Sequence, residues 1–146
     1  METRTLRNWQ NVHLNELTKI AAEIWDLLPM PSTIGLVAEM GAGKTTLVKS
    51  LLNEAKVSQF EGSPTFAIVQ SYCSPIKGNI YHLDCFRIES QHEAFELGLE
   101  ELLDESAYFF IEWPQNIGPI LPNELFWLYI RSNNDQSREI TLCHDY

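Results

Sequence analysis

The chain has 146 residues, 45% of them hydrophobic and 21% charged, with 20 acidic residues against 10 basic and a formal net charge of −10. That length fits one domain, residues 1–146, with one core, and the acidic excess argues against strong stand-alone binding of DNA or RNA, which needs clustered Lys and Arg facing phosphates. No apolar stretch approaches the roughly eighteen residues of a membrane span, and Met1-Glu2-Thr3-Arg4 leads into no apolar secretory segment, so the expected location is cytoplasmic.

In chain order, Thr3 to Arg7 predicts a short edge strand. From Asn15 to Leu28, the residues Leu17, Ile20, Ala21, Ile24, Leu27 and Leu28 recur at helical spacing, and Pro29 and Pro31 stop the helix. Thr33 to Ala38 is a short apolar run suited to a buried strand. Gly41 and Gly43 break it, and Lys44 to Ala55 reads as a helix with Leu47, Val48, Leu51 and Leu52 inward. Gly62-Ser63-Pro64-Thr65 has the turn chemistry of an exposed loop. Phe66 to Cys73 and Asn79 to Asp84 predict an antiparallel hairpin. His92 to Glu105 predicts an acidic amphipathic helix with Phe95, Leu99 and Leu102 inward. Gly98 inside it costs about 1 kcal/mol relative to Ala, which points to close packing or a bend. Ala107 to Ile111 is a fully apolar strand that ends in Glu112-Trp113-Pro114. A loop follows to Pro122, and strands at Leu125 to Arg131 and Arg138 to Leu142 close the chain. The class expected is α/β, with a mixed, partly antiparallel central sheet flanked by helices. Cys73, Cys85 and Cys143 are odd in number and far apart, which suits neither a disulfide framework nor a C-x-x-C zinc site. They are expected to be reduced and mostly buried.

The order strand, glycine loop, helix carries the most specific chemistry. Ala38-Glu39-Met40-Gly41-Ala42-Gly43-Lys44-Thr45 follows the pattern G-x-x-x-x-G-K-[ST], with alanine at the first glycine position. The pattern works because consecutive backbone N–H groups wrap phosphate oxygens, and the following helix turns its positive end toward the anion. Lys44 is placed to reach the β and γ phosphates, and the Thr45 hydroxyl to meet magnesium. Position 38 ends the strand, where a methyl group is tolerable. The sequence therefore predicts a P-loop NTPase domain that binds ATP and Mg2+.

A magnesium–nucleotide site also needs a carboxylate at the end of a neighbouring buried strand. Glu112, after Ala107 to Ile111, has that position. Trp113 beside it either covers the nucleotide or belongs to the core. His82 and Asp84 share one face of their strand. Asp84 either orients or deprotonates the attacking water or pairs with Arg87, and His82 reads more readily as a hydrogen-bonded structural histidine. Thr65, in the loop after the P-loop helix, is a candidate sensor of the γ-phosphate, as switch threonines are in nucleotide hydrolases.

Together these pieces resemble the TsaE (YjeE) family, the ATPase component of bacterial tRNA threonylcarbamoyladenosine synthesis. The resemblance rests on Glu39-Met40-Gly41-Ala42-Gly43-Lys44-Thr45-Thr46, Ser63-Pro64-Thr65-Phe66, Tyr81-His82-Leu83-Asp84-Cys85-Phe86-Arg87, Glu96-Leu97-Gly98-Leu99-Glu100-Glu101 and Ile111-Glu112-Trp113-Pro114. Leu121-Pro122 and Arg138-Glu139 follow in the expected places. It spans about residue 10 to 142. The first motif belongs to many unrelated proteins; S-P-T-F, H-x-D-x-x-R and I-E-W-P in this order are far more specific. Cys85-Phe86 stands where the family often has Leu-Tyr, a packing exchange.

The resemblance implies a small ATPase that drives the cycle of its partners TsaD and TsaB. Those partners transfer a threonylcarbamoyl group to adenosine 37 of tRNAs reading codons that start with A, and they hold the tRNA, which agrees with the acidic balance of this chain. It further implies that Gly41, Ala42, Gly43, Lys44, Thr45 and Thr46 hold phosphates and that Thr45 and Glu112 attend magnesium. Asp84 is needed for hydrolysis, Thr65 lies in a switch-like loop, Arg138 lies near the nucleotide, and a polar residue before the first helix, such as Asn11, touches the base. Two other classes use the same loop. A small-molecule kinase needs a basic lid, and only Arg131 and Arg138 lie between Trp113 and Tyr146. A non-catalytic nucleotide-dependent adaptor stays open. No N-K-x-D guanine motif is present, which disfavours a GTPase.

Overall fold

Apolar runs bounded by turn residues form seven strands in one sheet, seen in a computed structural model that describes residues 2–39, 41–57 and 68–146. The strands are β1 (Thr3–Val12), β2 (Ser32–Ala38), β3 (Val69–Ser74), β4 (Gly78–Asp84), β5 (Tyr108–Glu112), β6 (Leu125–Ser132) and β7 (Arg138–Asp145), in the spatial order β1-β7-β6-β2-β5-β4-β3. The middle four, β6, β2, β5 and β4, are mutually parallel. Antiparallel pairs flank them, β3 on β4 at one end and β7 and β1 beyond β6 at the other. This is the mixed α/β sheet expected, with the parallel strands buried in the centre.

Alternation along β5 shows how the two faces are covered. Tyr108 and Phe110 point to the face packed by the helices α1 (Leu17–Leu27) and α2 (Lys44–Glu54). Phe109 and Ile111 point to the other face, under α3 (Gln91–Glu96) and α4 (Leu99–Leu102). Trp25 ties α1 to α2: its indole N–H donates to the Leu51 carbonyl at 2.8 Å, and its ring meets Tyr108 and Phe110 edge-on. Gly35 lets β2 lie against Trp127, because a Cβ there would come within 2.6 Å of the indole ring.

Several elements differ from the sequence expectation. β1 runs five residues past Arg7, because its pairing with β7 continues to Val12, opposite Arg138. The helix begins at Leu17, after a single 3-10 turn at Leu14–Glu16. The expected helix from His92 to Glu105 is two short helices, divided at Gly98, whose φ of +76° is left-handed. That break turns Phe95 outward to 65% exposure, while Ala94 and Leu99 take the inward places. Pro114–Ile120 forms a 3-10 segment where a loop was expected, and β7 continues to Asp145. Cys85 and Cys143 are buried, but Cys73 is exposed. The start of the expected strand at Phe66 lies outside the described residues.

Candidate active site

All four parallel strands end at one edge of the sheet, and that edge collects the chemistry. β2 ends at Ala38, whose methyl packs against the main core. The chain then turns, with the Ala42 amide donating to the Glu39 carbonyl, and enters α2 through Gly43. Gly41 and Gly43 take φ of +79° and +98°, angles that cost an L-residue roughly 1–2 kcal/mol. Among the described residues, a Cβ on Gly41 would meet nothing within 4 Å. Glycine is needed there for the backbone angle. The first-turn amides of α2, which lack intrahelical partners, and its dipole favour an anion at this point. Thr45 and Thr46 lie exposed on that first turn.

Lys44 and Glu112 meet across this edge. Lys44 Nζ is 3.1 Å from Glu112 Oε1, with the lysine side chain 23% exposed and the glutamate 5%. The other carboxylate oxygen, Oε2, lies 2.6 Å from Nε2 of the fully buried His82. β4 and β5 are in parallel register with Asp84 opposite Glu112, and alternation puts His82, Asp84 and Glu112 on the α2 face. Burial alone would raise the Glu112 carboxyl, but the hydrogen bonds and charges from His82 and Lys44 outweigh it and hold the group below its ordinary value of 4.5.

Asp84 is half-buried at the end of β4, and its Oδ1 accepts the Phe86 amide at 3.1 Å. Among the described residues it forms no ion pair with Arg87. Trp113 takes left-handed angles, φ +57° and ψ +49°, directly after Glu112. It is 40% exposed, packs on Phe86 with ring centroids 5.0 Å apart, and has Lys44 Nζ 5.9 Å from its ring centre. It stands beside the loop and not in the core. Thr65 lies outside the described residues.

Arg138 reaches the loop from the far side. β1 and β6 both pair with β7, and both Val12 and Ser132 lie opposite Arg138. Its Nε donates to the Ala42 carbonyl at 2.6 Å. Next to this contact lies a cavity of about 180 Å³, bordered by His13, Leu14, Leu17, Thr46, Gln136 and Arg138, with Leu47, Ile130 and Ile140 beneath. Asn11 does not border it; that residue is exposed, with φ +54°, where the β1–β7 register shifts. The polar residue before the first helix that does border it is His13, and Gln136 of the β6–β7 turn faces it across the cavity. No local sequence signal marks them, because the cavity exists only where β1, the β6–β7 turn and α2 converge.

No group of three or more His, Cys, Asp or Glu side chains able to hold a metal occurs among the described residues. Oxygen donors among the described residues at the edge include the Thr45 hydroxyl and the Glu112 carboxylate, with Asp84 opposite Glu112. Oxygen donors of this kind, few in number, suit a hard cation that keeps waters and shares them with phosphate. The glycine loop, a lysine at its end and this donor set fit a magnesium–nucleotide complex.

The family model described as "Threonylcarbamoyl adenosine biosynthesis protein TsaE" matches residues 12–140. A protein of Bacillus subtilis named "tRNA threonylcarbamoyladenosine biosynthesis protein TsaE" is 32% identical over 134 residues, 91% of this chain and 82% of the relative. Relatives with the same name from Rickettsia bellii and Borreliella burgdorferi are 32% identical over 138 residues and 40% identical over 99 residues. Those alignments cover 90% and 66% of this chain, and 91% and 70% of the relatives. The crystal structure of Bacillus subtilis YdiB superposes with a TM-score of 0.79 at 26% identity, covering 100% of this chain and 89% of that one.

Proposed function

The chain belongs to the TsaE family of tRNA threonylcarbamoyladenosine biosynthesis, and from that premise we propose that it is an ATPase. In this reading it binds Mg-ATP at the glycine loop and hydrolyses it to drive TsaD and TsaB, its partners in threonylcarbamoylation of adenosine 37 of tRNAs reading codons that start with A. The carrying observation is the convergence of the left-handed Gly41 and Gly43, Lys44 and the buried Glu112 at one point of the sheet edge.

Gly41, Ala42, Gly43, Lys44, Thr45 and Thr46 hold the phosphates, Lys44 leaving Glu112 to meet them. Thr45 and Glu112 hold the magnesium ion or its waters; when bound, the ion neutralises charge on the phosphate oxygens. Asp84, opposite Glu112 on the next strand, orients the attacking water or takes its proton. Arg138 braces the loop through Ala42, and the adjoining cavity takes the base. Thr65 senses the γ-phosphate. The tRNA is held by the partners, in keeping with the net charge of −10, and no helix among the described residues is long and apolar enough to cross a membrane. The setting proposed is the cytoplasm.

Purified TsaB and TsaD, with tRNA and threonylcarbamoyl donor, test the reading. Multiple-turnover modification should require this chain and ATP, and Lys44→Ala should abolish both tight nucleotide binding and the stimulation. Modification that proceeds equally well without the chain refutes the assignment. A small-molecule kinase would instead place the phosphate on an added metabolite and not on water. One observation favours the nucleotide-dependent adaptor reading: Asp84 already uses an oxygen to cap the Phe86 turn. Phosphate release by the parent decides between the two, since an adaptor releases none. In Asp84→Ala, lost turnover with retained ATP binding supports a role for Asp84 in hydrolysis, and unchanged turnover removes Asp84 from it.

A further inference from the structure

We propose that His82 is a positioning residue that fixes the Glu112 carboxylate for its metal, an inference resting on the magnesium–nucleotide reading above. The ring is fully buried, and its Nε2 lies 2.6 Å from Glu112 Oε2. Its other nitrogen, Nδ1, is buried with no hydrogen-bond partner among the described residues. A histidine kept only for packing normally has both nitrogens satisfied, and a bare buried acceptor is costly enough that a hydrocarbon side chain would fill the place better. What the imidazole supplies and a hydrocarbon cannot is the Nε2–H aimed at Glu112. A carboxylate oxygen accepts, so the 2.6 Å contact assigns the proton to Nε2.

The geometry gives the bond a purpose. His82 lies two residues before Asp84 in β4, and its ring reaches diagonally to the end of β5, behind the carboxylate. With Oε2 held from inside the core, Oε1 is turned outward to Lys44 and the glycine loop. The carboxylate cannot rotate away when Lys44 departs for phosphate. Partners standing behind metal-ligating side chains set their orientation in this way, and their loss typically weakens metal affinity about 10- to 100-fold.

The test titrates magnesium against a fluorescent ADP analogue bound to the parent, His82→Leu, His82→Gln and His82→Asn, with thermal melting run alongside. His82→Leu should raise the magnesium concentration for half-maximal enhancement of binding about tenfold or more. Its metal-free nucleotide affinity should stay that of the parent. His82→Gln, whose amide nitrogen reaches the same oxygen, should return to within about threefold of the parent. His82→Asn, one carbon shorter, should behave like His82→Leu, so the Gln–Asn contrast decides the matter if the leucine variant does not fold. An unshifted magnesium midpoint, or equal loss in the Gln and Asn variants, overturns the proposal and leaves His82 a structural residue. A parent whose nucleotide binding ignores magnesium overturns the metal site itself, before any variant is compared.

Discussion

The two flanks of the glycine loop are built on opposite physical plans. On the β5 flank, Lys44, Glu112 and His82 form a chain of charged and polar contacts of 3.1 and 2.6 Å, with Glu112 and His82 buried and Lys44 partly exposed. On the β7 flank a single guanidinium, Arg138, holds the Ala42 carbonyl beside an apolar cavity lined by Leu14, Leu17, Leu47, Ile130 and Ile140. The first flank has strong, directional interactions and is suited to triphosphate and metal. The second offers shape and apolar surface and is suited to a flat base. Breaking a contact should therefore be costly on the first flank and selective on the second.

The largest effect is expected from Glu112→Ala, which strands Lys44 and His82 without their shared partner. It should lower folding stability by about 3 kcal/mol, in the range for a broken buried pair, measured by denaturant unfolding. A loss under about 1 kcal/mol would mean that the contact behaves as a surface pair. The same carboxylate sets an acid limb. Its folded-state pKa is depressed, so as pH falls the unfolded chain takes up the proton first. The stabilisation is present above the unfolded value of about 4.5 and disappears as pH falls through the folded one. The stability gap between the parent and Glu112→Gln should accordingly close in acid.

On the β7 flank, Arg138→Met should weaken nucleotide binding about tenfold by freeing the Ala42 carbonyl, with a smaller loss of stability than Glu112→Ala. Leu17→Phe, which fills the cavity, should weaken ATP about fivefold while leaving inorganic tripolyphosphate unaffected. Equal losses for the two ligands would show that the cavity does not hold the base. The smallest effect is a labelling pattern. Cys73 is exposed and should react quickly with a thiol reagent, whereas Cys85 backs the charged flank, its amide donating to the Glu112 carbonyl. Burial first, then the charges of Asp84 and Glu112, push the Cys85 thiol up to about 12. The unfolded thiol ionises near its ordinary value of 9.0 and the folded one does not, so this group removes stability as pH rises above that value. Mass spectrometry should find Cys85 unmodified in the parent and more reactive in Glu112→Ala.

The charged flank is largely legible in the sequence. Lys44 follows a strand-loop-helix pattern contained in a dozen consecutive residues, and Glu112 ends a short apolar run that suits a buried strand. The ion pair between them, and the reach of His82 to Glu112, were not legible, because the register of β4 on β5 relates residues some thirty positions apart. The β7 flank was almost silent. Arg138 stands out in the sequence only through the family resemblance, Asn11 lies outside the cavity that His13 and Gln136 border, and nothing local foretells the cavity. Phe95 misled because helical spacing was read straight through Gly98, where a left-handed angle restarts the helix on a different face.

Local order along the chain thus settled the elements, the glycine loop and the kinds of chemical group this protein can present, since periodicity and turn chemistry act between near neighbours. Tertiary structure alone decided which groups touch. Strand order brought β5 beside β2 and β7 beyond β6, and that long-range pairing made one edge of the sheet both a charged grip and an apolar slot.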